Sequence, residues 1–246
     1  MPYDLRRREA VTPSAETALA WTVDGQRRVE VAVAGLSNAS ASGPSALPGW
    51  SRGHVLTHLA RNADALVNLL SWARTGVPAP MYPGGPDQRA FDIEAGAARP
   101  IEELSHDLRQ ADARFEAAAS NMPADAWEAR VVSASGREIP AADVVWLRTR
   151  EVWLHLVDLS VGFTVDDIRE DVAWELVLDV AGWMSTRVER AFELVVPGRE
   201  SVRMGPGPST GRVQATANAL AGWLTGRDDA PPVVESGTPP QLPPWL

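Results

Sequence analysis

The residues best suited to chemistry in this sequence are a few histidines and carboxylates spaced one helical turn apart. Glu151 and His155 lie four residues apart in a segment that predicts a helix, so their side chains project side by side. They interrupt a stripe that is otherwise apolar and would normally face the core. Because a buried, unpaired carboxylate is strongly destabilising, Glu151 is expected to be exposed, to pair with Arg148 or Arg150, or to hold a cation.

A second pair, His54 and His58, lies on another predicted helix. At about 100° of rotation per residue, His58 lies nearer the apolar stripe of that helix, which predicts that His58 rather than His54 faces the core. Together His58, Glu151 and His155 would supply two nitrogens and one oxygen, a donor set close to that of catalytic zinc sites, with one position left for water or substrate. We therefore predict a divalent metal site. An ordinary surface ion pair and solvent-facing histidines are the alternatives.

Other polar residues bear on this site. Asp158 follows His155 by almost one turn, and it either orients the imidazole or is an ordinary helix charge. His106 stands among polar residues and is expected to face solvent. The chain contains no cysteine and only four histidines, which excludes disulfides, cysteine-type zinc sites and a cysteine nucleophile. Any thiol chemistry must therefore use a thiol brought from outside.

Four amphipathic patterns predict the helices that would carry these residues. They run from about Asp4 to Gly35, from an N-cap at Ser51 to about Arg74, from Ile101 to Ala119, and from Ala141 to about Gly162. Between them, Ser37 to Pro44 is predicted to be a loop by its composition. Gly76 to about Pro100 carries several prolines and glycines and is predicted to be a long ordered loop. Four helices with one long loop predict a bundle over residues 1–163.

The sequence changes character after Phe163. The predicted elements are a helix over 166–188, strands over 192–196, 202–204 and about 212–216, and a short helix over 217–225 that ends at Gly226. The tail over 231–246 is rich in proline, cannot be helical and is expected to lie on the surface. We therefore predict a fold of the α plus α+β class, with an N-terminal helical bundle and a smaller α+β domain over residues 164–246.

Composition and charge exclude several classes of function. With 246 residues, 45% hydrophobic and 22% charged, the chain is typical of a globular protein. Its net charge of −9 provides no basic surface for nucleic acid. The apolar runs are far shorter than the roughly 20 residues needed to span a membrane, and no apolar signal segment follows Met1. We therefore expect a cytoplasmic protein with no nucleic-acid or membrane partner.

Four blocks of sequence together resemble one family. They are Leu47 to Leu66, Met81 to Gly85 followed by Arg89 and Asp92 to Gly96, Arg150 to Leu159, and Leu220 to Arg227. These blocks are similar to those of the mycothiol-dependent maleylpyruvate isomerases, which are DinB-like metal-binding four-helix bundles. The resemblance extends over nearly the whole chain. The first two blocks are specific to this isomerase group, whereas the third is shared with other thiol-dependent DinB-like enzymes.

The resemblance implies a function and a set of site residues. Zinc would be held by His58, Glu151 and His155, and mycothiol would be the cofactor. The reaction would convert maleylpyruvate, a small dicarboxylate, to fumarylpyruvate in gentisate breakdown: a thiolate adds to the double bond, the resulting single bond rotates, and the thiolate leaves. Arg89 and Arg227 are the candidates for binding the substrate's negative charges, with ordinary surface arginines as the alternative.

Two other functions stay open at this point. A mycothiol S-transferase would use the same metal and thiol on other electrophiles, and activity towards a haloarene would distinguish it from the isomerase. A non-enzymatic module would carry a small apolar ligand in its C-terminal unit, with the bundle serving only as support. Metal analysis separates this carrier from an enzyme, because the carrier would hold no zinc.

Overall fold

The computed structural model describes residues 13–228, 232–237 and 241–245. Within this part the chain forms two compact units, Pro13–Phe163 and a second unit that begins at Thr164. The helices of the first unit are α1 (Ala15–Val33), α2 (Asn38–Ala41), α3 (Arg52–Thr75), α4 (Gly85–Ala97), α5 (Ile101–Ser120) and α6 (Ala142–Asp158). The predicted helical residues before Pro13 lie outside the described residues.

The four long helices α1, α3, α5 and α6 form the predicted bundle. Helix α3 packs against α5 and α6, and α1 packs against α6 and α5. Leucines, valines, alanines and aromatic residues from these helices are fully buried between them, among them Leu56, Leu66, Phe115 and Trp153. Burial of these apolar faces is the main free energy that holds the helices together.

Helix α3 begins and ends where local signals place it. Ser51 is the N-cap, as predicted, and its side chain accepts a hydrogen bond from the backbone N–H of His54. Gly76 ends the helix in the left-handed conformation, with φ of 72°, which glycine adopts without steric cost. The positions of His54 and His58 within α3 are therefore set by capping signals at both ends of the helix.

The predicted loop over 76–100 is wrong in its second half, which is helix α4. The prolines and glycines of this segment lie almost entirely before residue 87, and Pro86 stands in the first turn, where its missing N–H costs nothing. Beyond it, Ile93 and Ala97 are buried, and α4 packs along α3. The proline and glycine content of the whole segment predicted a loop. The helix in its second half is stabilised by these contacts with α3, which the composition does not show.

Two smaller differences concern short elements. The predicted loop over 37–44 contains α2, a single helical turn with Ser37 as its N-cap. Residues 120–140, for which no element was predicted, contain a hairpin of β1 (Arg130–Val132) and β2 (Glu138–Pro140). Val131 and Ile139 pair with each other across the two strands and are buried. The connection between α5 and α6 therefore contains an ordered hairpin.

The second unit combines two helices with a four-stranded sheet. Its elements are α7 (Glu170–Met184), β3 (Ala191–Val195), β4 (Val202–Met204), β5 (Ser209–Gln214), α8 (Ala217–Thr225) and β6 (Val233–Ser236). The strand order is β4-β3-β5-β6, with β3 parallel to β5 and the other pairs antiparallel. The helix over 217–225 and its end at Gly226 are confirmed.

The predicted fold class, a helical bundle with a small α+β unit, is confirmed. The helix predicted over 166–188 is shorter, because a 3-10 turn at Val165–Asp167 precedes it and it ends at Met184. The strand predicted near 212–216 begins earlier, at Ser209. Among the described helices, none has the combination of length and apolar character required to span a membrane.

Candidate metal centre

Helices α3 and α6 bring His58, Glu151 and His155 together. Their potential ligand atoms all lie within 4.8 Å of one another. The Nε2 atom of His58 is 2.9 Å from Glu151 Oε2, and the Nε2 atom of His155 is 3.3 Å from the same oxygen. The two imidazole rings meet edge to face with their centroids 4.7 Å apart. Two nitrogens and a carboxylate oxygen therefore converge on one point.

The cluster is largely buried but keeps an accessible edge. Only 4% of His58 is exposed, whereas the side chains of Glu151 and His155 are 19% and 13% exposed. A carboxylate in such a place requires positive charge or hydrogen-bond donors beside it. The two imidazoles meet that requirement, and so would a divalent cation.

Burial and hydrogen bonding shift the pKa values of the two histidines in opposite directions. Burial lowers the pKa of His58 from 6.5 to about 4, although the hydrogen bond to Glu151 opposes this. Burial also disfavours charged His155, but hydrogen bonds to Asp158 and Glu151 outweigh it and raise the pKa of His155. Burial likewise opposes ionisation of Glu151, yet hydrogen bonds from His155 and His58 hold its pKa well below its ordinary range. At neutral pH His58 is therefore neutral and Glu151 is anionic, and the raised pKa of His155 favours its protonated form.

Asp158 orients His155. Its Oδ2 atom accepts a hydrogen bond of 2.8 Å from His155 Nδ1, and only 1% of the residue is exposed. Fixing the proton on Nδ1 leaves Nε2 as the nitrogen that faces Glu151. Of the two possibilities that the sequence left open for Asp158, the structure shows the orienting hydrogen bond.

Arg89 on α4 reaches the cluster from the other side. Its Nη2 atom donates to His58 Nδ1 at 3.1 Å, which agrees with a neutral His58 that carries its proton on Nε2. The guanidinium also lies over the ring of Tyr82, 5.8 Å from the ring centroid. Burial raises the pKa of Tyr82, so its hydroxyl stays protonated. The structure thus places one predicted arginine beside the predicted metal ligands.

The other predicted arginine, Arg227, belongs to the second unit. It directly follows the Gly226 cap of α8, and its Nη1 atom donates to the carbonyl of Thr225 at 2.9 Å. Its suggested role in binding substrate stays a prediction.

His54 and His106 lie outside the cluster. His54 caps α3, because its Nδ1 accepts from the backbone N–H of Ser51 at 3.1 Å, while its Nε2 lies 3.1 Å from a carboxylate oxygen of Glu94 on α4. His106 is exposed on α5, as expected. The choice of His58 over His54, made from helical rotation alone, therefore agrees with the burial of the two side chains.

Two aromatic residues at the site were not identified from residue spacing. Trp50 lies edge-on to His58, with centroids 5.5 Å apart, and stacks on His54. Tyr82 lies under Arg89. Both occur inside the blocks that resemble the isomerase family, which was the available signal. Nothing in their spacing along the chain indicated that they lie beside His58.

A comparison with models of protein families identifies the family of this chain. The family model described as the mycothiol maleylpyruvate isomerase N-terminal domain matches residues 22–160. The chain belongs to this family. The match includes α3, α4 and α6, so the whole His58–Glu151–His155 cluster lies inside the family's N-terminal domain.

Solved structures extend the similarity to the isomerase family over both units. The crystal structure of the mycothiol-dependent maleylpyruvate isomerase matches at 30% identity and a TM-score of 0.84, and the match covers 94% of this chain and 97% of that one. A mutant of that isomerase with one histidine replaced by alanine matches at 29% identity, with the same TM-score and coverage.

A more distant structure shares the fold alone. YfiT from Bacillus subtilis, a four-helix bundle of unusual topology, matches at 15% identity with a TM-score of 0.53, over 65% of this chain and 90% of its own length. The DinB-like bundle predicted from the sequence is therefore confirmed. No curated protein matches the chain.

Proposed function

We propose that this member of the maleylpyruvate isomerase family converts maleylpyruvate to fumarylpyruvate, with mycothiol as cofactor and zinc held by His58, Glu151 and His155. The observation that carries the proposal is the convergence of these three side chains, within 4.8 Å of one another, in a chain of this family. The similarity to the crystallised isomerase over 94% of the chain supports the same substrate class.

The donor set fits zinc. Two imidazole nitrogens and one carboxylate oxygen are common ligands of catalytic zinc, and three protein ligands leave one coordination position open. Zinc bound there would lower the pKa of the mycothiol sulfur and so supply a thiolate at neutral pH, the nucleophile that the proposed addition to the double bond, rotation and elimination would require. The chain has no cysteine of its own, which agrees with an imported sulfur nucleophile.

The residues of this chain have separate tasks in the proposed reaction. Asp158 holds the Nδ1 proton of His155, so Nε2 is the nitrogen that a metal ion would bind in place of a proton. Arg89 places a permanent positive charge 3.1 Å from the His58 ring. That charge can bind a substrate carboxylate and stabilise the negative charge that develops on the substrate.

A local cation is needed because the molecule as a whole is negatively charged. With a net charge of −9, the protein gives no long-range attraction to a dicarboxylate. Arg89 is such a cation on the bundle unit, beside His58, and we propose Arg227 in the second unit as a further partner for the substrate. Replacement of Arg227 by lysine tests this role through the KM for maleylpyruvate.

The test is an absorbance assay of maleylpyruvate conversion with and without mycothiol, on wild-type protein and two matched variants. We expect about one zinc per chain and turnover only with the thiol. His58→Ala should lose at least about a hundredfold in kcat/KM together with its zinc. His106→Ala, which changes an exposed histidine on α5, should keep both.

Three results would contradict the proposal. Turnover that persists without thiol would exclude the proposed chemistry. Thiol-dependent conjugation of a haloarene without isomerisation of maleylpyruvate would point to an S-transferase. A protein that holds no zinc after gentle purification would favour a non-enzymatic module.

A further inference from the structure

A single guanidinium lies where the four bundle helices meet. Arg148 on α6 is fully buried, with 0% of its surface exposed. Its Nη1 atom donates to the carbonyl of Leu59 and to Oδ1 of Asn62, both on α3 and both at 2.8 Å. Its Nη2 atom donates to Oδ1 of Asp112 on α5 at 2.6 Å. Arg148 therefore joins three helices directly.

The fourth helix joins through the same carboxylate. Gln26 on α1 donates its Nε2 hydrogen to Asp112 Oδ1 at 2.7 Å. A buried cation is tolerated only when its partners are in place, and breaking a buried pair leaves an uncompensated charge. The observed axial alignment of the helices gives both Nη atoms of Arg148 their acceptors, and an axial shift of α3 or α5 would move those acceptors away. We call Arg148, Asp112, Asn62 and Gln26 the buried hub.

Residues that form the buried hub or accept from it lie within about two helical turns of each proposed metal ligand. Its acceptors on α3 are the residue directly after His58 and the residue one turn later. On α6, Arg148 precedes Glu151 by three residues and His155 by seven, which are about one and two turns along the same face. The hub thus connects the two helices that carry the ligands, at a level about one turn from His58 and Glu151.

Small axial errors matter at this site. A slip of α3 by one residue would move His58 by about 1.5 Å along the helix axis. Zinc–nitrogen bonds are about 2.0–2.1 Å long, and a working site tolerates deviations of only about 0.2 Å. Apolar packing alone does not fix the axial position of a helix to within such a distance, because the hydrophobic effect has no preferred direction. Directional hydrogen bonds from one planar group can set the alignment.

We propose that Arg148 is a positioning residue for the metal centre: its guanidinium fixes the axial register of α3 against α6, and thereby the spacing of His58 from Glu151 and His155. The inference rests on the proposed metal site. Arginine suits this task better than lysine, because its planar fork donates in fixed directions to acceptors on two helices, whereas an ammonium is a point charge.

Co2+ binding tests the proposal, because the visible absorption of bound Co2+ depends on coordination geometry and needs no turnover. The dissociation constant for Co2+ is measured by competition with a chelator on wild type, Arg148→Lys and Asn62→Ala. We expect Arg148→Lys to bind Co2+ at least about tenfold more weakly, with a changed absorption spectrum.

Thr149→Val is the matched control. Thr149 is the next residue on α6 and is also fully buried, but its hydroxyl contacts Thr22 and Ala18 on α1 and makes no hydrogen bond to α3. The control should be destabilised yet bind Co2+ within about twofold of wild type, with an unchanged spectrum. A purely structural role for Arg148 would make its lysine variant behave in the same way.

Each outcome decides the matter. If Arg148→Lys is less stable but keeps wild-type affinity and spectrum, the positioning role is overturned. If Arg148→Lys does not fold, Asn62→Ala decides, since it removes one of the two acceptors on α3 and leaves the guanidinium in place. A loss of about threefold or more in Co2+ affinity supports the role, and unchanged binding overturns it. If wild type itself binds no Co2+, the proposed metal function fails and takes this inference with it.

Discussion

Glu151 and Asp158 are carboxylates on the same helix, yet they act on His155 from opposite sides of its ring. Glu151 lies 3.3 Å from Nε2, and Asp158 accepts from Nδ1 at 2.8 Å. A metal ion bound at Nε2 would compete with the proton there but not with the proton on Nδ1. The two carboxylates therefore have different consequences for metal binding, and each can be tested alone.

Replacement of Asp158 by asparagine should weaken metal binding without removing a ligand. An amide at this position no longer fixes the proton of His155 on Nδ1 by charge, so zinc affinity should fall about 10- to 100-fold. Chelator competition measures this change. Asp125→Asn, at an exposed carboxylate, is the control and should leave the affinity unchanged. Equal affinities for wild type and Asp158→Asn would contradict the orienting role.

The low pKa of His58 predicts how the stability of the metal-free protein depends on pH. Between pH 6.5 and about 4, an unfolded chain protonates this histidine while the folded chain does not, so stability falls as the pH falls through this window. This difference in the pKa of His58 lowers the free energy of unfolding by about 3 kcal/mol once the pH is below both pKa values. His155 has the opposite sign, because its raised pKa adds stability that is lost as the pH rises above 6.5.

Urea unfolding in the presence of a chelator measures this effect. The free energy of unfolding of wild type should decrease relative to that of His58→Gln between pH 6.5 and pH 4, because glutamine does not titrate. His106→Gln, which changes an exposed histidine, should follow wild type. A constant difference between wild type and His58→Gln over this range would show that burial does not disfavour the charged form of His58.

At the scale of elements, the contact between α3 and α4 brings Arg89 to His58. The two helices approach closely at two glycines. A Cβ added to Gly53 would collide with the carbonyl oxygen of Ala97, and one added to Gly96 would lie 2.5 Å from Cγ2 of Thr57. The absence of these side chains lets α4 lie directly on α3, and the position of Arg89 depends on that approach.

Gly53→Ala should therefore destabilise the protein although alanine favours helices. The clash must push α4 outward, at a cost of about 1–3 kcal/mol, which exceeds the gain of about 0.5–1 kcal/mol from helix propensity. Urea unfolding gives the difference. Gly35→Ala is the control, because no atom lies within 4 Å of its added Cβ, and it should change stability by less than about 0.5 kcal/mol. A stabilised Gly53→Ala protein would show that the helices have room to separate.

At the scale of the whole molecule, all three proposed metal ligands belong to the first compact unit, Pro13–Phe163. A ligand stabilises only the part of a protein whose folding creates its site. The second unit, with α7, α8 and its sheet, contributes none of these ligands. Metal binding should therefore raise the stability of the first unit and leave the stability of the second unit unchanged.

Hydrogen exchange with and without Zn2+ measures this division. At about 100 times the dissociation constant, Zn2+ adds about 2.7 kcal/mol to the stability of the binding unit, which corresponds to about a hundredfold slower exchange through its unfolding. Amides of α3 and α6 should show this slowing, and those of α7 and α8 should not. His58→Ala should show none. Equal slowing in both units would mean that they unfold together.

Local signals along the chain were sufficient to predict the long helices and the three side chains that converge in the structure. A Ser51 cap and a Gly76 stop define α3 because backbone groups at helix ends need nearby partners. Rotation per residue selected His58 over His54, and the spacing of Glu151 and His155 put them on one face. These features depend only on residues within a few turns, so the sequence expresses them directly.

Contacts between distant segments settled the rest. Helix α4 forms because Ile93 and Ala97 are buried, and α4 packs along α3; proline and glycine content alone predicted a loop there. The sequence predicted Arg148 as a possible ion-pair partner of Glu151. In the structure Arg148 instead binds Asp112, 36 residues away, and two acceptors on α3. Such partners are chosen by how helices pack in space, and spacing along one helix carries no information about which residue of another helix will lie opposite.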